Sequence, residues 1–314
     1  MDPKVIVGWD GTGRGRDALA LGELLARAGG ASLIAVGVYP RPALENAGEG
    51  IDRVLRERTE QDLAEAQSLA GDLAIELRAV AGKSPAEGLQ RLATELHPDA
   101  IAVGSSHHGF AGHVLVGSVS ERLLHGAPCP VAIAPAGYAS GHPHALHDIG
   151  VGFDDSPEAW DALTAAAAFA NVTGARLHVI ASIDAHATMY PHHPFAVGEY
   201  AAYVNRVREN QQQAVRDAVA KLHEVRVDAR GEMSDQAPAK LLAARSHDLD
   251  LLAVGSRSYG PIGRVLLGSV STHAMRHSAC PVLVTPRGIA LPNSPVDVTA
   301  SRSDHQPISI TGQS

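Results

Sequence analysis

The chain has 314 residues, which at roughly 100–200 residues per domain points to two domains. It is 45% apolar but only 4% aromatic, so its core must be built from aliphatic side chains, the kind that suit parallel sheets covered by helices. A net charge of −8, with neither half basic, argues against a protein held on nucleic acid by phosphate neutralisation.

From the N-terminus, apolar runs of strand length fall at 4–9, 32–38, 74–80, 100–104 and 130–134, each bounded by Gly, Pro or Asp. Between them lie helical patterns at 15–28, 52–70, 85–96 and from Ser118 to about Leu124, with Ser118 expected as an N-cap. Strand and helix alternate four times before a last strand. That order specifies a doubly wound five-stranded parallel sheet of Rossmann type, with right-handed crossovers and helices on both faces.

The pattern then recurs. Residues 5–19 (VIVGWDGTGRGRDAL) align with 149–163 (IGVGFDDSPEAWDAL) at an offset of 144, pairing Asp10 with Asp154 and Trp9 with Phe153. Residues 101–135 align with 252–286 at an offset of 151. A period this long fits duplicated globular domains rather than a solenoid. The organisation expected is therefore a first domain at 1–137, a linker at 138–146, a second domain at 147–288 with a long polar helix near 198–222, and a disordered polar tail at 289–314.

Open parallel sheets bind ligands beyond the carboxyl ends of their strands. Asp10 and Asp154 stand there in the two copies, able to accept hydrogen bonds from a ribose or an adenine amine, and equally suited to capping the following turn. After the fourth strand come Gly104 and Gly255, each followed by a glycine-punctuated loop. The loops end in Gly117-Ser118-Val119-Ser120 and Gly268-Ser269-Val270-Ser271 at a helix start. Free N–H groups of a helix start, glycines that admit close approach and serine hydroxyls together suit a phosphate, and the doubling favours that reading over a merely capped helix.

These residues resemble the universal stress protein family in its tandem form, from Val5 to about Pro286. The family's nucleotide motif is a Gly, two residues, a Gly, nine residues, then Gly-Ser or Gly-Thr. Gly104 with Gly117-Ser118, and Gly255 with Gly268-Ser269, occupy its ends, while its middle glycine is His107 in one copy and Ser258 in the other. The resemblance implies ATP, with Mg as an optional companion, bound in one or both copies. It places Asp10 and Asp154 against the adenosine and Val38 against the adenine, where the second copy has Ser182. It also implies a stress-response regulator or interaction module with at most slow ATP hydrolysis. The last strands, 131–134 and 282–285, would pair as an intramolecular pseudo-dimer, with a homodimer a further option. The alternative is a nucleotide-free scaffold whose phosphate loops have drifted at His107 and Ser258.

Other readings are weaker. Gly11-Thr12-Gly13-Arg14-Gly15 lacks the third glycine and the acidic partner of a dinucleotide fingerprint, and neither a Walker loop nor a nucleophile elbow is present. Cys129 and Cys280, equivalent in the two copies, have no zinc or redox spacing and read as buried structural thiols of a reducing, cytoplasmic protein. No signal peptide pattern opens the chain, and no run nears the roughly 18–20 apolar residues of a membrane span. Seventeen histidines are unusual, but His142, His144, His147, His192 and His193 lack metal-ligand spacing and read as solvated loop residues.

Overall fold

The computed structural model describes residues 2–41, 48–71, 73–105, 117–141, 143–183, 197–258, 265–266, 268–286 and 288. His107, His142, His192, His193 and the 289–314 tail lie outside them.

The first half runs β1 (Lys4–Trp9), α1 (Gly13–Gly29), β2 (Ser32–Pro40), α2 (Gly48–Leu69), β3 (Ile75–Gly82), α3 (Pro85–Leu96), β4 (Ala100–Gly104), α4 (Ser118–Leu124) and β5 (Val131–Ala134). The second repeats it as β6 (Asp148–Gly152), α5 (Pro157–Thr173), β7 (Arg176–Ser182), α6 (Val197–Glu224), β8 (Ala229–Ser234), α7 (Pro238–Arg245) and β9 (Leu251–Gly255). It continues with β10 (Arg257–Ser258), β11 (Val265–Leu266), α8 (Ser269–His277) and β12 (Val282–Thr285). Each half is the doubly wound parallel sheet expected, in the order 3-2-1-4-5. The two sheets join through β5 and β12 into ten strands, ordered β3-β2-β1-β4-β5-β12-β9-β6-β7-β8. That junction is antiparallel, while every other pair of the ten-stranded sheet is parallel.

Strand alternation sorts the core into two layers, because successive side chains point to opposite faces. Val5, Val7 and Trp9 turn towards α1, α2, α5 and α6. Ile6 and Val103 turn towards α3, α4, α7 and α8. Both layers run unbroken across the two halves, so the halves share a core on each face of the sheet. α1 also packs against α5.

Three local features differ from the sequence reading. Gly117, not Ser118, is the N-cap of α4, and no side chain closes that helix start; Ser118 is the first helical residue. A serine one position too late cannot reach the N–H groups that a cap serves. The loop expected between Gly255 and Gly268 contains a two-rung antiparallel ladder, Arg257 with Leu266 and Ser258 with Val265. Tyr138, placed in the linker, is buried in a short 3-10 turn. That turn is held by the buried Asp17, whose carboxylate accepts the N–H groups of Gly137 and Ala139, both at 2.9 Å.

Candidate functional site

Each half has a cleft at the carboxyl ends of its strands. The first measures about 340 Å³ and is lined by Asp10, Val38, Gly104 and Val119, with Arg14, Gly15, Thr59 and Leu89 beside them. The second measures about 210 Å³ and is lined by Asp154, Gly255, Val270 and Ser271, with Ser182, Glu158, Pro238 and Leu241. Small-molecule sites commonly span roughly 300–1,000 Å³, so the first is the roomier candidate.

The first cleft begins where β1 ends. Trp9 is anchored in the core, its indole N–H donating to the Asp62 carbonyl at 2.8 Å. Asp10 then turns the chain. Its Oδ1 accepts from the Thr12 N–H at 3.1 Å, the Thr12 hydroxyl at 2.6 Å and the Gly15 N–H at 3.2 Å. This is the turn-capping role that the sequence left open for it. The other oxygen, Oδ2, pairs with Arg14 Nη2 at 2.9 Å. Asp10 and Arg14 thus present an acceptor and a cation side by side in the cleft, both about two-fifths exposed.

The second cleft repeats the turn and changes the charge. Asp154 Oδ1 accepts from the Ser156 N–H at 3.2 Å and from the Ser156 hydroxyl. The position of Arg14 is taken by Glu158. Ser182 lines the wall that Val38 lines in the first half, and its hydroxyl donates to the Gln236 carbonyl. Phe153, like Trp9, is core: its ring meets Trp160 edge-on at 5.1 Å.

Gly104 and Gly255 have a packing reason to be glycine. A Cβ at Gly104 would lie 2.4 Å from the Arg14 carbonyl oxygen, and one at Gly255 lies at the same distance from that of Glu158. The helix after the first strand presses its opening turn onto the end of the fourth, and only a bare α-carbon admits it. The closing glycines differ, with φ of −84° at Gly117 and −63° at Gly268, which any residue adopts.

At the helix starts, Ser118 and Ser269 are exposed and Ser120 and Ser271 buried. The Ser271 hydroxyl donates to the Gly255 carbonyl at 2.9 Å, tying α8 to the end of β9. Neither Gly117 nor Gly268 closes its helix with a side-chain cap, so the first-turn N–H groups are left without one. Ser258 takes part in β10, and its side chain, like all of His107, lies outside the described residues.

Arg14 escaped the sequence reading as a site residue. Its signal was the i, i+4 spacing from Asp10, a helical ion-pair spacing, together with the opposite charge at Glu158 in the second copy. The one helical i, i+4 histidine pair among the described residues whose rings stack, His273 and His277 at 4.0 Å, was also overlooked. Among the described residues, no three His, Cys, Asp or Glu side chains gather to hold a metal ion, and no helix is long and apolar enough to cross a membrane.

Comparison with known proteins agrees with this architecture. The sequence matches the Universal stress protein family twice, over residues 1–135 and 146–286. A universal stress protein of Mycobacterium tuberculosis is 29% identical over 295 residues, covering 90% of this chain and 99% of the relative. One of Thermus aquaticus is 31% identical over 137 residues, 42% of this chain and 98% of its own. The crystal structure of a universal stress protein from Archaeoglobus fulgidus superposes with a TM-score of 0.61 at 22% identity, covering 91% of this chain and 96% of that one, a likeness of fold. With two matches that together cover nearly its whole length, the chain belongs to the universal stress protein family and carries that family's domain twice in tandem.

Proposed function

We propose that the chain binds an adenine nucleotide, ATP foremost, in the first cleft and acts as a nucleotide-dependent regulator or interaction module of the stress response in the cytoplasm. The observation that carries the reading is the pairing of Asp10 and Arg14 at the mouth of a cleft with an apolar wall at Val38. A carboxylate suits a ribose hydroxyl or an adenine amine, a guanidinium suits a phosphate, and Val38 suits the face of a base. Gly104, Gly117, Ser118, Val119, Ser120 and His107 would form the phosphate side, and Mg would enter with the phosphates it accompanies. In this reading turnover of ATP is at most slow.

The second cleft favours the alternative reading for its own half. Glu158 in place of Arg14 repels phosphate, and Ser182 removes the apolar contact. Asp154, Gly255, Ser258, Gly268, Ser269, Val270 and Ser271 then act as a scaffold whose nucleotide affinity is weak or absent. Domains at 1–137 and 147–288 would form an intramolecular pseudo-dimer across β5 and β12, with a homodimer as a further assembly. Calorimetry of the purified chain with ATP, with and without Mg, is expected to give one site per chain, weakened at least about tenfold in Arg14→Glu. No binding at millimolar nucleotide would overturn the proposal.

A further inference from the structure

A third cavity, of about 180 Å³, lies between the halves. It sits at the amino ends of the first half's strands, where Pro3, Asp99 and Pro130 precede β1, β4 and β5, and so is at the opposite end of those strands from the first cleft. Its walls are apolar and come from both halves: Leu25 and Gly29 of α1, and Ala165, Ala168 and Phe169 of α5. One ionisable side chain, Asp99, lines it.

The duplication supplies a control. Under the two offsets, the two sides of the α1–α5 contact are copies of each other, with Leu25 and Phe169 exchanging places. Where one side has Gly29, Ala165 and Ala168, the other has Thr173, Leu21 and Leu24, and both of those leucines are buried. The side of the helix contact with the smaller side chains is the one that holds the cavity. A close-packed interface loses dispersion and burial energy wherever it leaves such a void.

Asp99 has spare accepting capacity. Among the described residues its carboxylate accepts the Lys4 N–H at 2.8 Å, out of roughly four lone-pair positions, while its own backbone N–H donates to the Lys4 carbonyl at 2.8 Å. Burial pushes the carboxyl above the usual carboxylate range, and Lys4 and the chain's N-terminus are the cations that act against this. A donor brought into the cavity would relieve that desolvation. The equivalent carboxylate, Asp250, accepts two backbone N–H groups, of His147 at 2.7 Å and Asp148 at 3.0 Å.

We infer that this cavity is a binding site for a small apolar amine, its hydrocarbon body between Gly29, Ala165 and Ala168 and its ammonium on Asp99. Apolar walls with one placed polar group are the usual composition of small-molecule sites. Because both halves form the walls, such a ligand holds α1 against α5, and it does so independently of any nucleotide.

The test uses the full chain, titrated with benzylamine and with its uncharged analogue benzyl alcohol, and followed by methyl NMR. Saturable shifts at Leu25, Ala165 and Ala168 are expected, with benzylamine bound about tenfold more tightly, the scale of one charge-assisted hydrogen bond. Ala168→Leu, at a half-buried helical position, should fill the space and abolish binding of both compounds while preserving the fold. Asp99→Asn should bring benzylamine down to the level of benzyl alcohol; if that variant does not fold, the comparison of the two compounds on the unaltered chain decides. No saturable shift at these methyls, or binding unchanged in Ala168→Leu, overturns the site. Equal affinity for the two compounds overturns the assignment to amines.

Discussion

Ala132 and Leu283 stand opposite each other at the junction of β5 and β12, and they are the same position of the two copies. On either side, Val131 pairs with Val284 and Ile133 with Val282, so each pairing is the mirror of the other under the 151-residue offset. That is the self-complementary pattern of a two-fold dimer interface, built here within one chain. It turns the last strand of each half from an exposed edge into the centre of a sheet.

The shared core predicts one unfolding transition. The chain's two tryptophans, Trp9 and Trp160, fall one in each half. Single-tryptophan variants made with Trp160→Phe or Trp9→Phe should therefore show the same urea midpoint by fluorescence. Leu283→Ala, at a fully buried position, should lower both midpoints together, at a cost of about 2–5 kcal/mol. Separate midpoints would show that the halves fold independently.

Charge at the clefts predicts which half takes phosphate. Arg14→Glu should weaken ATP binding at least about tenfold while changing adenosine binding much less, since the lost contact is charge-assisted and directed at phosphate. Glu158→Arg should move the second cleft the other way, seen as an added site in calorimetry. Equal losses for ATP and adenosine in Arg14→Glu would place Arg14 away from the phosphates.

The glycines separate packing from binding. Gly104→Ala and Gly255→Ala force a methyl group against a carbonyl oxygen and should cost about 1–3 kcal/mol of stability each, measured by urea denaturation. Gly117→Ala, at an N-cap with ordinary φ, should cost much less stability and act mainly on nucleotide affinity. A large stability loss at Gly117 would mean that its role is structural.

The thiols predict a pH dependence. Burial pushes both Cys129 and Cys280 up to about 12 from an ordinary 9.0. As pH rises past 9.0 the unfolded chain releases these protons first while the folded one retains them, so this stability is whole below 9.0 and is lost progressively towards 12. The urea midpoint should fall from pH 8 to pH 10 (both values about those of the buffers chosen) and fall less in the Cys129→Ala, Cys280→Ala double variant. Both thiols should resist a thiol reagent at neutral pH until the chain is unfolded.

The strands were legible because a sheet buried on both faces leaves uninterrupted Val, Ile, Leu and Ala runs, and the duplication let each copy check the other. What the sequence hid depends on contacts between distant residues. The burial of Tyr138 goes with Asp17 accepting the N–H of Gly137, 120 residues further along the chain. Gly104 reads as a ligand-approach glycine until the Arg14 backbone is seen lying over it. Asp10 reads as a ligand carboxylate, and one of its oxygens is already committed to its own turn.

The antiparallel junction of β5 and β12 also sets which way the two clefts face. The five strands that the first half gives to the large sheet run opposite to the five of the second, so the two clefts lie at opposite strand ends of that sheet. A partner seated over one mouth leaves the other uncovered. The two clefts therefore lie back to back, and the exchange of Arg14 for Glu158 leaves the first with a cation that the second lacks.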